Sequence, residues 1–259
     1  MRLAVFGDIH GNETAFEAML SDLHSVGDVD KLWVLGDLAA FGPRPGACIA
    51  RLRALIEMHG KDKCQVIGGN TDRYLVRGQR PNTPPAQDAD GLARRVASFR
   101  ERDDALNWGL AQLSYDDYAF LAEIVGRELS LDVPNHGVVI GFHAIPGDDE
   151  PTSLRPDSPD EEAADALLDR QGRLALCGHT HLAMDRQVRS WRVVNPGSVG
   201  LSFGKPGLAE WALLTFSEDG ALSVDLRAVP YDVEAAIAHA REAGYPQARY
   251  AERLRPPAS

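Results

Sequence analysis

The chain holds only three cysteines in 259 residues, Cys48, Cys64 and Cys177, far apart and without a C-x-x-C pair. That odd, scattered set excludes a disulfide framework and reads as reduced thiols in a cytoplasmic protein. No apolar run approaches the roughly 20 residues needed to span a bilayer, so no membrane partner is expected. The opening Met-Arg-Leu-Ala-Val-Phe is too short for a secretory signal, and no leader is expected. Positive charge is scarce: 27 Lys and Arg face 38 Asp and Glu, for a net charge of −11. An extended nucleic-acid surface needs cations clustered along a face, and none is found. This deficit counts against long polyanions more than against a small phosphate ester, because bound metal can make one spot positive on an acidic protein. There is also no fixed-period repeat and no low-complexity tract. Hydrophobic content of 44% is ordinary for a globular chain, and 259 residues suffice for a full core.

What the chain does have is five short segments, each a hydrophobic run followed at once by a metal-ligand side chain. They are Asp8 and His10 in GDIHGN, Asp37 in GDL, Asn70 in GGNTD, His143 in GFHA, and His179 with His181 in GHTH. The preceding runs, Leu3 to Phe6, Leu32 to Leu35, Cys64 to Ile67, Val138 to Phe142 and Leu174 to Cys177, read as buried strands. In open α/β sheets the functional crevice lies outside the carboxyl ends of the strands. Ligands placed immediately after five strands therefore converge on one point.

Around these motifs the first seventy residues alternate strand and helix, a βαβαβ unit with parallel strands and right-handed crossovers. Asn12 should cap a helix from Glu13 to about Ser25 whose apolar face carries Phe16, Met19, Leu20 and Leu23. From about Leu75 to Val133 the pattern turns helical, with stretches at Leu92 to Leu110 and Tyr115 to Val125. We expect an insertion that caps the strand ends within a single domain covering 1–259. Glu128 to Val133 and Gly137 to Phe142 resemble a hairpin, and Pro146 to Glu162 an acidic loop leading into a helix that ends near Arg170. After GHTH the chain is β-rich, with strands expected at Met184 to Val188, Trp191 to Val194, Glu210 to Phe216 and Leu222 to Leu226. A last helix capped by Asp232 should run to about Ala243, ahead of a polar, partly disordered tail from Tyr245 to Ser259.

Nitrogen and carboxylate donors together suit divalent transition metals. One ion would take Asp8, His10, Asp37 and His181; the other would take Asp37, Asn70, His143 and His179. The shared Asp37 bridges ions that in such sites sit about 3.5–4 Å apart. His179 and His181 lie two apart on an extended segment and share a face, and the small Gly178 and Thr180 let the backbone approach. Two divalent ions less two aspartates leave a positive site that attracts phosphate and lowers the pKa of a bridging water to roughly 7. The resulting hydroxide can attack phosphorus without a protein nucleophile, with Asp37, Asn70 and His143 as the expected catalytic core. Singly, each of these residues is an ordinary turn, cap or surface residue, as His24, His59, His136 and His239 are taken to be. The joint pattern decides for metal.

The same five blocks resemble the signature of the calcineurin-like metallophosphoesterase superfamily, and Asn195-Pro196-Gly197-Ser198 resembles the NPGS loop of its small prokaryotic phosphodiesterase branch. The match covers about residues 1–75 and 137–215. The resemblance implies a four-layer α-β-β-α sandwich and a dinuclear centre of Mn, Fe, Ni or Zn, ahead of Mg. One departure stands out. Where many members of the family carry a histidine after the third-block asparagine, thought to protonate the leaving group, this chain has Thr71, followed by Asp72. Threonine cannot donate a proton near neutral pH, which favours hydrolysis of a small phosphodiester with a good leaving group. A small-molecule phosphomonoesterase and a protein-binding scaffold of the same fold are the alternatives, the scaffold weakened because no ligand is missing. Arg73, Phe41 and Asn195 are candidate substrate contacts, and the oligomeric state stays open.

Overall fold

In the computed structural model, which describes residues 1–246 and 249–256, strand β1 (Arg2–Phe6) is buried on both faces. Leu3 and Val5 join one apolar cluster while Ala4 and Phe6 join another, as the two-residue alternation of a strand requires. β1 pairs in parallel with β2 (Lys31–Leu35), and β2 with β3 (Cys64–Ile67). On its other side β1 pairs antiparallel with β9 (Leu208–Phe216), which pairs with β10 (Leu222–Pro230). The first sheet therefore runs β10-β9-β1-β2-β3. A second sheet of five contains β4 (Leu129–Val133), β5 (Gly137–Gly141), β6 (Leu174–Leu176), β7 (Met184–Val188) and β8 (Trp191–Asn195), in the order β4-β5-β6-β8-β7.

The two sheets stack on a layer that includes Leu3, Val5, Trp33 and Leu35 from one and Val139, Leu174, Leu176 and Val194 from the other. Outside the first sheet lie α1 (Glu13–Ser25) and α2 (Pro45–His59), packed through Phe16, Met19, Ile49 and Leu52. Outside the second, Phe142, Leu154, Leu167 and Trp191 pack with α6 (Asp160–Asp165). This is the expected α-β-β-α sandwich. The cap of α1 forms as anticipated, the Asn12 side-chain oxygen accepting from the Ala15 N–H at 3.2 Å.

α3 (Asn70–Arg77) starts at Asn70 and puts that side chain on the first turn of a helix. The two helical stretches expected within 75–133 form as α4 (Ala89–Ala111) and α5 (Tyr115–Ile124). Both contact α3, and they contribute Leu106, Leu121 and Ile124 to the core shared with α1 and α2. β9 and β10 extend further than their apolar stretches indicated, paired from Leu222↔Phe216 to Pro230↔Leu208. The helix after the acidic loop stops at Asp165, short of Arg170. In the tail, α7 (Val233–Glu242) is followed by α8 (Tyr250–Leu254), where Tyr250 and Leu254, four apart on one helix face, bury against Ala236 and Ile237. Residues 247–248 and 257–259, included in the expected disorder, lie outside the described residues. Among the described residues no helix is long and apolar enough to cross a membrane.

Trp33 ties the sheets together: it is fully buried between them, and its indole N–H donates to the Gln65 side-chain oxygen at 2.9 Å. Trp33→Ala should destabilise the protein by about 3–5 kcal/mol, read as a lower urea midpoint with an unchanged slope. A loss below about 1 kcal/mol would mean that the two sheets do not share one core.

Candidate metal centre

The turns that follow the strands are braced against one another before any ligand is considered. The N–H groups of Asp8, His10 and Gly11 donate to the carbonyls of Gly36, Asp37 and Leu38 at 2.8–3.0 Å, so the turns after β1 and β2 are zipped together. The second sheet joins through the Asp8 carboxylate, which accepts the His179 N–H at 3.0 Å. These turns hold unusual backbone: Asp8, His10, Asp37, His179 and His181 all have φ between 51° and 66°. Residues other than glycine rarely adopt that left-handed region, and each such residue costs on the order of 1–3 kcal/mol. Close approach also demands glycine at two positions. A Cβ on Gly69 would lie 2.2 Å from Asp37 Oδ1, and one on Gly178 would lie 2.7 Å from Asp8 Oδ2.

The structure brings the seven predicted donors into two adjoining groups. In the first, one donor atom each from Asp8, His10, Asp37 and His181 lies within 4.8 Å of all the others. His10 Nε2 is 2.9 Å from His181 Nε2 and 3.6 Å from Asp37 Oδ2, and His181 Nε2 is 3.3 Å from Asp8 Oδ1. In the second, His143 Nε2 is 2.9 Å from Asn70 Oδ1 and 3.5 Å from Asp37 Oδ1, and His179 Nδ1 is 3.1 Å from Asn70 Oδ1. The two oxygens of Asp37 thus face different groups. Donors at about 2.0–2.2 Å from one ion are themselves roughly 3–4 Å apart, so the spacing fits. Burial fits too: Asp8 and Asp37 are 0% and 2% exposed and, among the described residues, pair with no Lys or Arg, and a buried carboxylate without a cation is costly.

The ring orientations agree with this reading. Each histidine gives its other nitrogen to a backbone carbonyl: His10 Nδ1 to Ala40 at 2.8 Å, His143 Nδ1 to Leu35 at 2.7 Å, His181 Nδ1 to Leu201 at 2.6 Å, and His179 Nε2 to Glu150 at 2.9 Å. A carbonyl only accepts, so that nitrogen carries a hydrogen and the other ring nitrogen is turned toward the centre. The Asn70 amide is set in the same way, its Nδ2 donating to the Tyr74 hydroxyl at 3.1 Å, which leaves Oδ1 inward.

Protonation follows from burial and neighbouring charge. Burial disfavours the charged His143, but the Asp37 carboxylate outweighs it and raises the imidazole to about 10. Asp37, though burial opposes its charge, is held far below the usual carboxylate range by His143, His10 and His179. His10 is lowered to about 4 by burial and by His181. Burial lowers His181 as well, yet Asp8 carries it above the usual value, while burial and His143 lower His179. Asp72 is raised to about 7 by burial and by Asp37, against the N–H bonds it accepts.

Five further residues lie around the donors. Asn195 is fully buried; its Nδ2 donates to Gly178 O at 2.7 Å and to Thr180 Oγ1 at 3.1 Å, and its Oδ1 accepts from Gly197 N. It pins the GHTH turn from behind, and at 0% exposure it lies out of reach of a substrate. Arg73 is engaged by Asp149, Glu150 and Gln79. Asp72 accepts from the N–H groups of Leu38, Ala39 and Gly69. Phe41 is half-buried, its ring centroid 6.0 Å from that of His10. Thr71 donates its backbone N–H to Asp37 Oδ1 at 2.9 Å, and its buried hydroxyl has no partner. Sequence reasoning missed Tyr74 and Glu150. Tyr74 is four residues after Asn70, a signal once α3 is known to begin there; the carbonyl of Glu150 leaves none.

Comparison with known proteins adds the following. Residues 1–219 match the model of the calcineurin-like phosphoesterase superfamily domain. A symmetrical bis(5'-nucleosyl)-tetraphosphatase of Chromohalobacter salexigens is 32% identical over 108 residues, 42% of this chain and 37% of that protein. The chain spans well under half the length of the curated relatives it matches. Two crystal structures share the fold over 98% of the chain: a hypothetical protein of Pyrococcus horikoshii, with TM-score 0.79, 19% identity and 97% of its own chain covered, and a metallophosphoesterase of Sphaerobacter thermophilus, with TM-score 0.69, 24% identity and 98% covered.

Without a cation, the proton on His143 at neutral pH must leave before Nε2 can act as a donor. Divalent-cation affinity of the stripped protein should therefore rise with pH between about 6 and 9, approaching tenfold per unit, with proton release seen by calorimetry in buffers of different ionisation heat. The stability sign runs the other way. The His143–Asp37 pair contributes fully below the unfolded histidine value of about 6.5 and loses its contribution as pH rises through about 10. Stripped protein should accordingly melt at lower temperature on the alkaline side, and His143→Asn should lack that decline. An affinity independent of pH would remove His143 from the donor set.

Proposed function

The chain belongs to the calcineurin-like phosphoesterase superfamily, and from that premise we propose that it hydrolyses a small phosphodiester at a centre of two divalent cations. The observation that carries this reading is the placement of Asp37, whose Oδ2 faces His10 and whose Oδ1 faces His143. A carboxylate with its two oxygens in two donor groups is what a bridging ligand requires. Asp8, His10, Asp37 and His181 would hold one cation; Asp37, Asn70, His143 and His179 would hold the other. With four imidazoles and no thiolate, the set suits Mn, Fe, Ni or Zn ahead of Mg. Divalent cations, when bound there, supply Lewis acidity toward phosphoryl oxygens and acidify water to a pKa of about 7.

The chain's own groups do the rest. The carbonyls of Ala40, Leu35, Leu201 and Glu150 hold the four rings in register, and Tyr74 holds the Asn70 amide. His179 is the one donor that is only half-buried, so the approach for substrate lies on its side. We further propose that the 75–133 insertion limits access to the centre from the His143 side. In support, a cavity of about 400 Å³ beside His143 is bordered by Arg77 and Gln79 at one end of the insertion and by Val125 and Arg127 at the other. The preference for a diester rests on Thr71, which stands beside Asp37 and offers no proton to a leaving group.

Asp37→Asn should lose most bound metal and more than about a hundredfold in hydrolysis while remaining folded. Elemental analysis and circular dichroism read both, and two metals per chain with normal turnover in the variant would sink the allocation. Along a series of aryl phosphodiesters, rates in a chemistry-limited regime should fall steeply as leaving-group pKa rises. T71H should flatten that slope only partly, since Asp72 is committed to three backbone N–H groups. A flat slope in the wild type would reveal a proton donor elsewhere.

A further inference from the structure

Phe203 is 58% exposed, yet its ring sits on a donor imidazole, with centroids 4.5 Å from His181 at an angle of 31°. The turn that carries it is fixed on both sides. The Phe203 N–H donates to the His181 carbonyl at 3.2 Å, and the Leu201 carbonyl accepts from His181 Nδ1. Between them Ser202 is buried, its hydroxyl donating to Glu210 at 2.6 Å and accepting from the Lys205 N–H at 2.8 Å. A firmly held backbone thus presents a water-exposed phenyl face beside the donor groups. On the far flank the ring of Phe41, whose backbone has φ 76°, lies 6.0 Å from His10, and the rings of His10 and His181 are 4.8 Å apart. The order Phe41, His10, His181, Phe203 makes a row of four rings along one edge of the cluster.

We propose that Phe203 determines specificity: a planar aromatic group of the substrate, a nucleobase, stacks on its open face while the phosphate lies at the donors. This deepens the phosphodiesterase reading and rests on it. A ring without a polar atom selects for stacking and not for base identity, so the four bases should be accepted about equally.

The test compares thymidine 5′-p-nitrophenyl phosphate with ethyl p-nitrophenyl phosphate, which share a leaving group and differ in the retained substituent. In metal-loaded F203A the ratio of the two kcat/KM values should fall about five- to hundredfold, chiefly through KM for the nucleoside substrate. F203L, which keeps an apolar side chain over His181 without a π face, should show the same loss, and F203W should restore the ratio. An unchanged ratio, whether or not both rates fall together, overturns the proposal. If the wild type cleaves neither diester, the phosphodiesterase reading fails, and calorimetry decides the platform alone. Wild type must then bind thymidine 5′-phosphate more tightly than ethyl phosphate, and F203A must lose that preference; equal binding by wild type overturns it.

Discussion

Two carboxylates buried where the sheets meet, Asp8 and Asp37, are the constraint on which the rest depends. Among the described residues neither has an Arg or Lys partner, both are almost wholly removed from water, and both sit on left-handed backbone. Left alone, such groups would be strongly unfavourable in a protein interior. The structure surrounds them with four imidazoles whose remaining nitrogens are tied to backbone carbonyls. Strain in the turns, glycines at Gly69 and Gly178, and the cross-bracing between the two strand-end turns follow from holding these charges in place. The same constraint explains why the donors come from both sheets: no single turn could place the other five around two carboxylates.

Much of this is legible in the sequence, because each donor follows a strand and strands announce themselves by apolar runs. The β1–α1–β2–α2–β3 unit, the Asn12 cap and the order of the donor segments can all be read locally. What cannot be read is what depends on distant pairing. That β9 lies beside β1 follows from no local pattern, and β10 alternates polar and apolar residues, so the antiparallel partnership alone carries it to Pro230. The start of α3 is hidden because Gly-Gly-Asn has turn chemistry, while Asp72 supplies the cap from inside by accepting the Gly69 N–H. The tail misleads through its overall polarity, which masks the spacing of Tyr250 and Leu254.

The polar candidates for substrate contact show a second limit of local reading. Residue type and proximity in sequence do not separate a side chain that meets substrate from one that holds a ligand in place. Asn195 lies in a motif that follows the metal turns and is entirely engaged by their backbone. Arg73 is three residues from Asn70, yet its guanidinium clamps the acidic loop through Asp149 and Glu150, and the carbonyl of Glu150 orients His179. Arg73 acts on the site through that loop, a role that becomes visible only when the loop from the second sheet is placed beside α3.

The residues that support the donors are largely paired with backbone or with one another, and Thr71 contributes a backbone N–H to Asp37. On the His143 side the cavity is bordered by charged and polar side chains, Arg77, Gln79 and Arg127 among them, while the rings of Phe41 and Phe203 flank His10 and His181. On the proposed reading, the phosphate is oriented at the donors and the aromatic edge discriminates among substrates. Strand-end turns and the start of α3 fix the donors, while α4 and α5 carry none of them.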